Sequence, residues 1–189
     1  MSSFGIHKSW IILSLVIASM TMLFLASCVA MVYLQIHKDL KSVPLPWLFY
    51  FNTAILLASS YILHKVNVNT VSLISLRNNC KQVLLLSILF LILQSLAWYS
   101  LLSAAVTIQS DRMSAFLYFI SGLHFIHVLG GIPFLFFFYL KIKKEYNHGH
   151  YKVDESNKLQ FKILRTYWHF LDALWIFLIA FLTLLIMVF

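Results

Sequence analysis

Tyr167–Phe189 reads YWHFLDALWIFLIAFLTLLIMVF, 23 residues with no lysine or arginine and a single carboxylate, Asp172. At about 1.5 Å per residue such a helix rises about 35 Å, enough to cross the roughly 30 Å hydrocarbon core of a bilayer. Four more blocks of this kind stand upstream: Trp10–Leu34, Pro46–Leu63, Val83–Val106 and Met113–Leu140. Together the five take 118 of the 189 positions. They raise the hydrophobic share to 61% and leave 11% charged, against about 45–50% and about 25% in a soluble domain. A soluble core of this size cannot hide that excess. The blocks also lack the polar–apolar alternation of barrel strands. The expected architecture is therefore all-α: a polytopic membrane protein, a five-transmembrane-helix bundle forming one membrane domain over residues 1–189. Soluble enzymes and nucleic-acid-binding domains are excluded.

The net charge of +8 has a topological meaning. Of the 14 Lys and Arg, 11 fall in alternate segments (the N-terminus, the second loop and the fourth loop), and three in the others. The positive-inside rule then predicts a cytoplasmic N-terminus and an external C-terminus. The fourth loop, residues 141–166, carries seven of these charges and is the only sizeable connection. Within it, Leu159–Arg165 is amphipathic and is expected to lie along the cytoplasmic interface, its Lys and Arg towards anionic head groups. His148 and His150 read as an exposed surface pair in preference to a metal site. Cys28 and Cys80 have no metal or redox spacing and are expected to be unpaired. Leu25–Cys28 resembles a lipoprotein cleavage site. The chain stays apolar beyond it, so the block reads as a transmembrane helix.

Polar side chains inside these blocks carry the information, because lipid makes each one costly. Asn52 and Thr53 stand seven residues before Ser59 and Ser60, on one stripe of the second block that suits helix–helix contact. Gln94 lies in the third block. Ser121, His124, His127 and Gly131 share a face of the fourth, while His169 and Asp172 are three apart in the fifth. Pro133 is expected to free the carbonyl of Leu129. Two readings of the histidines compete. In one, His124 or His127 with His169 supplies the axial ligands of a haem, as in a small b-type haem membrane anchor. Alternatively, the rings are hydrogen-bonded between helices. His124 and His127 fall mid-block and His169 third in its block, a mismatch in depth that favours hydrogen bonding. Proton transport would need a chain of ionisable groups, and one carboxylate is not a pathway.

Several segments resemble the cytochrome c oxidase subunit III family. Tyr167–Trp175 looks like its YWHFVDxxW signature, and Ser121–Gly131 like its TGxHxxHVxxG segment. Asn52–Ser60 is similar to its NTxxLLxSS element, and Gln94 with Trp98 falls where the family has QxxEW. The four occur in family order. The resemblance covers the whole chain in a five-helix form and corresponds to the last five helices of seven-helix members. Two family carboxylates are replaced, one by Met20 and one by Ala97, which puts roles such as assisting proton delivery in doubt.

The resemblance implies a non-catalytic subunit of a bacterial haem–copper terminal oxidase in the inner membrane. Haem and copper would sit in subunit I, with no cofactor in this chain. Subunits I and II and other respiratory-complex subunits would be partners, phospholipid would be bound, and assembly and turnover would be sustained. An accessory subunit of a nitric oxide reductase would carry the same signatures. The expected polar contacts, to lipid or between helices, are His124, His127, Arg165, Trp168, His169 and Asp172, with Trp168 at head-group level and Arg165 reaching a lipid phosphate. Packing contacts are expected at Asn52, Ser59, Gln94, Ser121 and Gly131.

Overall fold

The computed structural model describes residues 8–38, 45–67, 70–148 and 153–188. His150, Pro44 and Phe189 lie outside the described residues. Five helices follow in order: α1 (Lys8–Lys38), α2 (Trp47–His64), α3 (Leu73–Ser103), α4 (Arg112–Asn147) and α5 (Glu155–Val188). Four of them, α1, α3, α4 and α5, are long and apolar enough to cross a membrane. The exception is α2, whose 18 residues include Asn52, Thr53, Ser59, Ser60 and His64. It rises about 27 Å, close to the thickness of the hydrocarbon core.

The last four helices close into a ring, α2 on α3, α3 on α4, α4 on α5 and α5 on α2, while α1 lies outside and, among the described residues, packs against α4 and α5 only. Side-chain pairs fix the directions. Thr53 meets Trp175 and Ser60 meets His169, so α2 and α5 run antiparallel. Tyr167 meets His127 and Gln160 meets Lys141, so α4 and α5 do too.

Buried positions on α3 run Leu73, Leu76, Cys80, Val83, Ser87, Phe90, Gln94, Ala97 and Leu101, a spacing of three and four that keeps one stripe inward. That stripe carries the helix ten residues upstream of the Val83 where its apolar block begins, with Ser72 accepting from the Ser75 amide at 3.4 Å as N-cap. The same effect corrects the reading of the fourth loop. Leu159–Arg165 is not a separate interfacial segment but part of the first turns of α5, with Phe161 fully buried and Leu164 8% exposed. Likewise α4 runs to Asn147, well beyond Leu140. Asp111 caps its start by accepting from the Ser114 amide at 2.7 Å, and Pro133 is carried inside the helix.

The core forms two clusters. The larger lies among all five helices around Phe24, Phe49, Phe90 and Trp175. The second joins Leu63, Leu76, Cys80, Ile142, Phe161 and Trp168 at the basic end, where α2 and α4 finish and α3 and α5 begin. At the opposite end, α3 closes in a Schellman turn: Val106 N donates to Leu101 O and Ala105 N to Leu102 O. Ala105 takes the left-handed position at φ 60°, a place glycine usually fills.

Candidate functional site

The polar side chains expected at helix contacts occupy four seams of the ring. Between α2 and α3, Asn52 Nδ2 donates to Gln94 Oε1 at 2.9 Å, with both residues fully buried. Between α3 and α4, Trp98 Nε1 donates to Ser121 Oγ at 3.1 Å, while Ser121 donates to the Leu117 carbonyl. Between α2 and α5, Trp175 Nε1 donates to Thr53 Oγ1 at 3.1 Å, and Ser60 Oγ lies 2.6 Å from His169 Nδ1. Between α5 and α4, the Tyr167 hydroxyl donates to the His127 carbonyl at 3.0 Å.

A close approach accompanies the last contact. A Cβ at Gly131 would stand 2.9 Å from Tyr167 Cε1 and 3.0 Å from Trp168 Cζ3. Only hydrogen fits there, so α4 and α5 come together at this level. Trp168 is 2% exposed and packs inside the protein.

Trp175 is the centre that sequence reasoning did not single out. Its ring stacks on Phe49 at 5.7 Å, meets the edge of Phe90 at 5.3 Å and lies 4.9 Å from the His124 ring. Elements α2, α3 and α4 thus converge on one indole of α5. The signal was its position, three residues beyond Asp172 on the same helical face.

His124 is fully buried between aromatic rings, Phe90 at 5.7 Å and Trp175 at 4.9 Å, and neither ring nitrogen has a hydrogen-bond partner among the described residues. His127 turns back on its own helix, Nδ1 lying 2.7 Å from the Leu123 carbonyl, with Phe24 of α1 at 6.1 Å. His169 belongs to a different neighbourhood, with Ser60 and His64 of α2 around it. The three rings are not gathered. Among the described residues, no three His, Cys, Asp or Glu side chains come together as a metal-binding group.

Asp172 faces protein at 2% exposure. The Ser60 hydroxyl has hydrogen-bond geometry towards His169, and neither carboxylate oxygen of Asp172 has a hydrogen-bond partner among the described residues. Ser59 is fully buried beside it. Arg165 spends one N–H on the Val66 carbonyl, at 3.2 Å from Nη1, and lies over the Phe161 ring at 5.9 Å. His148 is exposed at the end of α4. Where the family acids would stand, Met20 and Ala97 are 4% and 0% exposed and belong to the larger core cluster.

The family model for cytochrome c oxidase subunit III matches residues 13–186. The chain belongs to the cytochrome c oxidase subunit III family. Cytochrome c oxidase subunit 3 of Anopheles gambiae is 31% identical over 134 residues, covering 67% of this chain and 46% of that protein. Its Drosophila melanogaster counterpart is 33% identical over the same shares. A probable cytochrome c oxidase subunit 3 of Rickettsia felis is 31% identical over 98 residues, 52% of this chain and 33% of the relative. The chain spans about half the length, or less, of the curated relatives it matches. As a subunit III family member, it directs its motif residues to helix seams: Asn52 and Thr53, Gln94 and Trp98, Ser121, and Tyr167 and His169 each bond across to another helix.

The Asn52–Gln94 contact gives a direct test of this role. Asn52→Leu is expected to cost about 2 kcal/mol, because Gln94 is left buried without its donor. Asn52→Leu with Gln94→Leu should recover most of that loss, since neither amide then remains unpaired. Thermal unfolding of the full chain and its variants in detergent measures the cycle. Additive losses would mean that the pair is not coupled.

Proposed function

We propose that this chain is the non-catalytic subunit III of a bacterial haem–copper terminal oxidase in the inner membrane. In this reading all five helices span the bilayer, with the N-terminus cytoplasmic and the C-terminus outside. The bundle packs beside subunit I, where haem and copper reside, with subunit II and other respiratory-complex subunits in the same assembly. Its work is to sustain assembly and turnover. The observation that carries this is the use of the motif residues: Asn52, Thr53, Gln94, Trp98 and Ser121 spend polar groups on helix seams, and aromatic rings surround His124 in the interior. Such an interior suits a packing subunit. The basic ends of α3, α4 and α5 support the orientation, since Arg77, Lys141, Lys144 and Arg165 gather on one side of the bundle.

Bound phospholipid is part of the proposal. A cleft of about 600 Å³ lies between α1, α4 and α5, lined by Ile12, Leu13, Val16, Phe134 and Phe137, with Lys141 among its lining residues. Apolar walls with one ammonium suit an acyl chain below an anionic head group.

Deleting the chain tests the whole reading. The initial rate of oxygen consumption is expected to persist in preparations matched for haem content. The rate should then decline faster during sustained turnover, and less complex should be recovered. Loss of the initial rate, with the haem spectrum of subunit I normal, would overturn the non-catalytic reading. A Soret band in the isolated chain would favour the haem anchor. Co-purification followed by mass spectrometry distinguishes an oxygen reductase from a nitric oxide reductase.

A further inference from the structure

Asp172 is the single carboxylate within the five apolar blocks, and its surroundings offer it no counter-ion. It is 2% exposed, and neither oxygen has a hydrogen-bond partner among the described residues. The one ion pair within 4.0 Å among those residues is Lys158–Glu155, near the start of α5. An ionised carboxylate is costly to house in such a place and the neutral acid is not, so a carboxyl kept there points to the handling of a proton.

The contacts around Asp172 lead outward to the basic end. Helices α2 and α5 run side by side between the Thr53–Trp175 contact at 3.1 Å and the Ser60–His169 contact at 2.6 Å. Asp172 stands midway along that stretch of α5, one turn from Trp175 and one from His169. The half-buried His169 ring faces that of His64, 6.3 Å away with the planes at 62°. His64 is exposed at the end of α2. Three ionisable groups thus step inward, from exposed to half-buried to buried. Ser60 and the fully buried Ser59, whose hydroxyl has no partner among the described residues, stand alongside on α2.

The other titratable and charged groups of the neighbouring helices are engaged elsewhere or exposed. On α4, His124 is enclosed by Phe90 and Trp175, and His127 is turned to the Leu123 carbonyl. On α2, Tyr50 and Tyr61 are exposed, and Lys65 just beyond the helix lies over Tyr61. On α3, Arg77 lies over Tyr146 and Lys81 is exposed. Helix α1 carries no charged residue or histidine between Lys8 and His37. On α5 itself, Tyr167 donates to α4 and Arg165, one turn before His169, donates to the Val66 carbonyl. Beyond Asp172 that helix has no ionisable side chain, so the row ends there.

We infer that Asp172 is a proton-binding site that fills and empties through His169 and His64 from the basic end of the bundle. Filling takes one proton from water at His64. Each imidazole accepts a proton on one nitrogen as it releases the proton on the other, a serine hydroxyl can do the same on its oxygen, and the Asp172 carboxylate becomes the acid. No other group gains or loses a proton, so one leaves the water for each carboxyl filled. The 6.3 Å between the two rings is a gap that one water spans. The site stores a proton and does not conduct one across the bilayer, because the row stops at Asp172. The inference rests on the bundle lying in a bilayer and not on which oxidase it serves.

The test is infrared spectroscopy of the full complex in nanodiscs, transferred from water to heavy water. Subtracting the spectrum of the Asp172→Asn variant isolates the carboxylic acid C=O band of Asp172, and the deuterium shift of that band times the exchange. His169→Gln should slow the exchange about a hundredfold, the loss of a positioned proton-transfer group. His64→Gln, at an exposed helix end, should slow it in the same direction. His37→Gln should change nothing, since α1 ends at the opposite side of the bundle, where Met31 packs with Met113 and Leu185. Asp172→Glu, which keeps the acid, should move the band and serves if Asp172→Asn does not assemble. Reactivity of the buried Cys80 thiol verifies that each variant is folded. A carboxylic acid region unchanged by either Asp172 variant, at every pH at which the complex is intact, overturns the site. Equal exchange in wild type, His169→Gln and His64→Gln overturns the route, as does slowing by His37→Gln. None of these readouts depends on oxygen consumption, so this inference and the oxidase reading fail separately.

Discussion

Trp175→Ala is expected to be the most damaging single truncation in the bundle, costing about 3–5 kcal/mol. The indole is 1% exposed and meets three other helices. Its loss removes the hydrogen bond to Thr53 and the stack on Phe49, and it leaves Phe90 and His124 facing a cavity. Trp175→Phe keeps much of the volume but loses the N–H donor, so it should cost about 1 kcal/mol and separate the two contributions. Two buried thiols supply the measurement. Cys28 belongs to the larger core cluster and Cys80 to the cluster at the basic end. During thermal unfolding in detergent, Trp175→Ala should bring forward the labelling of Cys28 more than that of Cys80. Equal acceleration would mean that the two clusters open as one.

Gly131→Leu should damage the fold from the other direction, by overfilling it. Even a Cβ there would stand 2.9 Å from Tyr167 and 3.0 Å from Trp168. Trp168 is buried, and Tyr167 is tied by its hydroxyl to the His127 carbonyl, so neither ring can yield cheaply. The expected cost is about 3 kcal/mol, at the upper end for overpacking, with α4 and α5 forced apart. Gly131→Ala should show the same direction with a smaller effect. The variant is measured by loss of the chain from the purified complex and by earlier thiol labelling. Gly122→Leu is the control, since a Cβ at Gly122 meets nothing within 4 Å. Similar losses at both glycines would remove the steric explanation.

The helices were legible because apolar blocks long enough to cross a bilayer are hard to mistake. Their ends were not. Upstream of Val83, α3 includes Arg77, Lys81 and Gln82, so the apolar block ends there, yet Leu73, Leu76 and Cys80 continue the inward stripe. Periodicity, not average hydropathy, governed that end. The same holds for Phe161 and Leu164 on α5, whose lysine and arginine neighbours suggested a membrane surface. Polar partners were legible only as faces. That Asn52 would meet Gln94, or Thr53 meet Trp175, depends on which helices adjoin in the ring, and no local pattern encodes it. His64 carried no motif and looked like an ordinary helix end until α5 placed His169 and Arg165 beside it.

The outboard position of α1 bears on how the bundle is made. The helix is complete at Lys38, but the helices it packs against do not begin until Arg112 and Glu155. During synthesis α1 therefore emerges before the helices it packs against, and an interval separates its completion from its docking. Its hydroxyls suit that interval: Ser14, Thr21 and Ser27 each donate to a carbonyl four residues back, and Ser19 to one three back. Hydroxyls satisfied within their own helix need no partner helix before docking. Docking of α1 then follows the arrival of α5, which makes its seam the last to zip up in biogenesis and the first expected to part when the complex ages.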